Sequence, residues 1–163
     1  MSRPFLLLTA FVCGGASLTL ELTASRLLAP AFGTSMPVWS AIIASTLVYL
    51  AIGYSVGGRL ADRRPEANLL FTLIGASALT TALIPIAGAP LVSAAAGATA
   101  ALSIGTIAAA FVVLLLLFAV PVSLLGMVSP FVLKLLLRDA ENAGKTAGEV
   151  YAVGTLGLSL IHI

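Results

Sequence analysis

Charge is what this sequence has least of. Of 163 residues, eight are Lys or Arg and six Asp or Glu, 9% together, against 60% hydrophobic residues and a mean hydropathy of +1.16. An ordinary globular domain carries roughly 25% charged residues, so the groups that would cover a water-facing surface are missing. Between Ala67 and Leu133 there is no charged residue at all. One Cys and one His exclude a disulfide framework and a Cys/His zinc site, and no metal ligand set is expected. Cys13, inside an apolar run, reads as a small packing residue. No glycine-rich nucleotide loop follows a strand pattern, and no paired carboxylates stand in a soluble segment. Catalytic residues and cofactors are therefore expected to be absent from these 163 residues. The basic residues sit in short loops flanking apolar runs rather than on a patch, which argues against nucleic acid as a partner.

What is present is a series of apolar runs of the length a bilayer demands. The fold class expected is all-α: a polytopic transmembrane helical bundle with four complete spans and an incomplete fifth, and the lipid bilayer as its first partner. A helix needs about 20 residues to cross the hydrocarbon core. The first span covers Phe5 to Leu27, and its continuation past Gly14, Gly15 and Leu20 favours a retained helix over a cleaved signal peptide. The second runs from Val38 to Gly58; Pro37 opens it, where a missing N–H costs nothing, and Trp39 suits the interfacial aromatic belt. Gly14 and Gly15 in the first span, and Gly53 and Gly57 in the second, are small-residue faces that let another helix come close. If the bundle is larger than these spans, some of those faces lack partners here.

The uncharged stretch from Ala67 to Leu133 holds either two or three crossings. With two, at about Asn68–Ile86 and Ile104–Val120, Arg3, Arg59, Arg63, Arg64, Lys134, Arg138 and Lys145 share one side and only Arg26 lies opposite. With three, the cations divide evenly. Lys and Arg prefer the cytoplasmic side, so two crossings and a cytoplasmic N-terminus are expected. Leu91–Ser103, rich in Ala, Gly and Ser, reads as an outer loop or as the start of a tilted fourth helix. Pro121 or Pro130 is expected to kink the fourth, with its end lying along the inner surface. A fifth span begins near Ala147.

Glu21 and Arg26 are charges inside or near the first span. A charge at the bilayer centre costs about 2.5–3.5 kcal/mol on insertion scales, so one found there usually faces the bundle interior or a cavity. Five residues turn the two about 140° apart, which aligns them poorly for a mutual salt bridge. Two readings stand: a substrate or proton pathway reached from the outer side, or side chains that snorkel to the interface and serve packing.

Several spaced polar positions carry a resemblance. Glu21, Ser25-Arg26, Ala29-Pro30, Phe32-Gly33, Trp39, Gly53-Tyr54 and Gly57-Gly58 through Pro65 resemble the membrane region of spermidine-synthase-like proteins fused to a major-facilitator-type domain. Gly126-Met127-Val128-Ser129-Pro130, Ala147-Gly148, Tyr151-Ala152 and Thr155-Leu156-Gly157 look like the same family. Within it, Gly58-Arg59-Leu60-Ala61-Asp62-Arg63 is similar to the loop signature of major facilitator transporters, although Pro65, Glu66 and Ala67 depart from its continuation. Read mechanically, Gly58 lets helices approach, Asp62 can cap a helix N-terminus, and the arginines bind lipid headgroups or neighbouring acids.

The resemblance implies a partial major-facilitator-like membrane domain over residues 1–157, in a bacterial inner membrane. Its aminopropyltransferase chemistry would reside in a soluble domain beyond these helices, so the missing C-terminal helices and that domain are expected partners; oligomeric state stays open. The alternative is the first part of a major-facilitator-type secondary transporter. Residues 158–163 (LSLIHI with Leu158 first) resemble an adapter-derived translation and are expected to be non-native, so His162 is given no role.

Overall fold

The computed structural model describes residues 2–102, 105–137 and 143–159. Five helices account for almost all of them: α1 (Arg3–Phe32), α2 (Met36–Arg63), α3 (Ala67–Leu102), α4 (Thr106–Leu136) and α5 (Ala143–Ser159). The first four are long and apolar enough to span a membrane. Arg138, the rest of the polar loop around it and the last four residues, His162 included, lie outside the described residues.

The helix ends follow from local chemistry. α1 stops at Gly33, whose φ of 75° favours a residue without Cβ and whose N–H donates to the Ala29 carbonyl at 2.9 Å. Pro4 and Pro37 sit at the first turns of α1 and α2, where no intrahelical partner is lost. Pairwise contacts then set directions. Phe5 stacks near Phe71 and Leu27 reaches Gly88, so α1 and α3 run parallel. Gly53 meets Gly126, Gly57 meets Met127 and Asp62 meets Lys134, so α2 and α4 are parallel too. α5 runs alongside α1, with Glu149 on Arg3 and Gly157 on Phe11. Three-residue connectors reverse the chain between α1 and α2 and again between α2 and α3.

Two helices, α3 and α4, therefore separate Glu66 from Lys134, as the sorting of cations requires. Arg3, Arg59, Arg63, Arg64, Lys134 and Lys145 gather at one end of the bundle.

Three boundaries differ from the sequence reading. Leu91–Leu102 is neither an outer loop nor part of the fourth helix; it is the last third of α3, which runs on through Pro85 and Pro90. α4 continues as helix through both Pro121 and Pro130 to Leu136 rather than stopping near Val120, about 46 Å at 1.5 Å per residue. α5 starts at Ala143 rather than near Ala147. Membrane helices tolerate internal prolines because neighbouring helices and hydroxyls re-satisfy the freed backbone groups. Ser77 of α3 ties the two helices here by donating its buried hydroxyl to the carbonyl of Pro121 itself at 3.0 Å; the acceptor that Pro121 frees is the Leu117 carbonyl, one turn earlier.

α4 is the most buried helix, with Val113, Val128, Phe131 and Val132 wholly enclosed. Outward faces carry Leu47, Leu79, Leu83, Leu115 and Leu116, each more than half exposed. In water such stripes would be an aggregation surface; in hydrocarbon they are the solvated face.

Candidate functional site

The chemistry-bearing residues group into three places, and the glycines decide where two of them are. A Cβ added to Gly53 would collide with the Ser123 carbonyl oxygen and lie 2.9 Å from the Gly126 Cα; at Gly57 it would lie 2.6 Å from the Met127 Cα. Here α2 and α4 touch backbone to backbone. The second close approach joins α1 to α5. A Cβ on Gly14 would strike the Gly154 carbonyl, and one on Gly157 would strike the Phe11 carbonyl and come within 3.2 Å of the Gly15 nitrogen. Gly14, Gly15, Gly53 and Gly57 thus all have partners within the chain. Gly154 and Gly157 were missed as packing residues; their spacing of three in an apolar segment was the available signal.

Between these two contacts lies a pocket of about 80 Å³, enclosed by α1, α2, α4 and α5. Its polar lining is Cys13, Ser17, Tyr54, Ser129, Tyr151 and Thr155. The Ser17 hydroxyl donates to the Cys13 carbonyl at 3.0 Å and the Thr155 hydroxyl to the Tyr151 carbonyl at 2.8 Å. Both oxygens keep lone pairs for another donor. No carboxylate or cationic side chain lines the space, and it suits a few waters rather than a metabolite. Among the described residues no cluster of His, Cys, Asp or Glu could hold a metal ion.

Glu21 and Arg26 are not brought into this pocket. Glu21, half-buried, lies about 5 Å beyond the midpoint of α1, well inside a hydrocarbon core about 30 Å thick. Arg26 is exposed and about 13 Å beyond the midpoint, close to the far boundary. The two occupy different surroundings.

The third place is the basic end. Gly58 faces Pro130 of α4, and Asp62 accepts a hydrogen bond from the Lys134 ammonium at 2.7 Å. Asp62 lies in the last turn of α2 and, among the described residues, meets Lys134 rather than a helix N-terminus; the first turn of α3 is closed by the Glu66 carbonyl. Arg3 and Glu149 make the second ion pair, linking the starts of α1 and α5. Both pairs are solvent-exposed and worth little individually, so they report proximity more than stability. Arg59 and Arg63 point elsewhere, into a shallow cleft they share with Val56 and Leu60.

No family description, curated protein or solved structure matches this chain.

Proposed function

We propose that this chain is a major-facilitator-like membrane domain of a spermidine-synthase-like fusion protein, with its aminopropyltransferase domain supplied by sequence beyond these helices. The aminopropyltransferase half of the reading rests on the resemblance of Glu21–Pro65 and Gly126–Pro130, and the pattern of helix contacts supports the membrane-domain half. In a fold of two inverted three-helix repeats, each helix is equivalent to the one three places later. Adding or subtracting three converts α1·α5 into α4·α2, the two glycine-to-glycine pairs, and converts the sparse α1·α2 contact into the equally sparse α4·α5 contact. The extensive α3·α4 contact then calls for a sixth helix against α1. A groove of about 600 Å³ between α1 and α3, lined by Val12, Ala16, Thr19, Ile74, Ala78 and Pro85 among others, offers it a place.

The basic end, by the preference of Lys and Arg, lies in the cytoplasm, in a bacterial inner membrane. Reading the gene past Gly157 is the decisive experiment. The proposal expects further apolar spans and then a glycine-rich, methyltransferase-like soluble domain that transfers an aminopropyl group to a diamine. Further spans with no such domain would overturn it.

A secondary transporter is the second reading, favoured by Glu21 at its depth in α1. It expects a Glu21→Gln variant of the full-length protein to lose substrate uptake or export, and unchanged transport would remove Glu21 from the mechanism.

A further inference from the structure

We propose that the end of α2 binds the phosphodiester headgroup of an anionic phospholipid, with Arg59 and Arg63 on the phosphate and Val56 and Leu60 against the first methylenes of the acyl chain. The inference rests only on the membrane setting, not on the family.

α2 divides its last three turns between two faces. Gly53, Gly57, Gly58 and Asp62 go to α4. Val56, Arg59, Leu60 and Arg63, at spacings of three, four and seven, form a second stripe, and a cleft of about 270 Å³ is lined by these four residues. Both arginines are exposed. Among the described residues neither is in an ion pair, and their nearest acid along the chain, Asp62, is taken by Lys134. Glu66, the remaining acid of the loop, is exposed at the end of the connector and among the described residues joins no ion pair.

Two like charges one helical turn apart repel, and an anion set between them reverses the sign of that interaction. Guanidinium groups fit a phosphate better than any other side chain, because their donors match its oxygens in pairs.

Depth identifies the anion's source. Trp39 and Arg59 are twenty residues apart on α2, about 30 Å, the thickness of the hydrocarbon core. With Trp39 in one interface, Arg59 stands at the other and Arg63 about 6 Å further out, at headgroup level. Val56 and Leu60 then lie at and below the boundary, where only a molecule with an apolar tail can use them. A soluble phosphate would gain nothing from that half of the cleft.

The test uses the full chain in nanodiscs of phosphatidylcholine with a minor fraction of phosphatidylglycerol, and native mass spectrometry to count retained lipid. The chain should retain phosphatidylglycerol selectively. The R59Q/R63Q double variant should lose that selectivity roughly thirty-fold, which is about 2 kcal/mol at about 1.4 kcal/mol per decade. R64Q, outside the cleft, should leave it unchanged. Retention equal in the double variant and the parent would overturn the proposal. So would an equal loss in R64Q, which would make the effect one of diffuse charge. Displacement of the lipid by excess inorganic phosphate would overturn the assignment to a lipid.

Discussion

At Gly53 an added methyl group has nowhere to go, because the atoms it would meet are the Ser123 carbonyl and the Gly126 Cα rather than the tip of a flexible side chain. Gly53→Ala should therefore force α2 and α4 apart and cost about 1–3 kcal/mol, the usual range for overpacking a close contact. Gly75, with nothing within 4 Å of an added Cβ, is the control: Gly75→Ala should be neutral or slightly stabilising. Thermal denaturation of both variants in the same detergent measures the difference, and equal midpoints would mean the α2–α4 contact is looser than described. Residue type was legible in the sequence here and partnership was not. Glycine at 53 and 57 announces that something comes close; that it is Gly126 and Met127 depends on α4 arriving parallel to α2, which no local signal carries. The same holds at the ends. Asp62 read as a cap because an acid beside a helix start is a common arrangement, but Lys134, seventy-two positions away in the chain, reaches it first.

Among the helices, α3 departs from its expected span by sixteen residues at its far end, Leu102 against Ile86. Leu91–Leu102 has the Ala, Gly and Ser content of a loop, and Pro85 and Pro90 precede it, so in water the helix would end before it. Six of those twelve residues are Ala, the strongest helix former, and the helix continues through them past both prolines. α3 and α4 are also joined by a side chain. The Ser77 hydroxyl is buried and donates to Pro121, so Ser77→Ala should lower stability by about 0.6 kcal/mol, and by no more than about 1.7 kcal/mol. Equilibrium unfolding of the variant in mild detergent reads the change. A larger loss would mean that the hydroxyl also fills space the methyl group leaves empty.

For the molecule as a whole, topology was the most legible property, since it rests on a count of charges and not on their partners. Asp62 against Lys134 and Glu149 against Arg3 place the starts of α1 and α5 and the ends of α2 and α4 together. Single cysteines introduced at positions 3 and 145, in a Cys13→Ala background, should consequently react with a membrane-impermeant maleimide from the same side. Labelling from opposite sides would require an odd number of crossings between Glu66 and Lys134 and would dismantle the bundle described above. The pocket between the four helices was not legible at all. Its hydroxyls come from four separate segments, and each is unremarkable in its own sequence neighbourhood.

The backbone-to-backbone contacts at Gly14, Gly53 and Gly57 and both ionic ties lie in the half of the bundle nearest the basic end. The bundle is thus tied twice over at one end, by backbone contact and by charge, so salt that screens the ionic ties should leave the glycine contacts holding that end together.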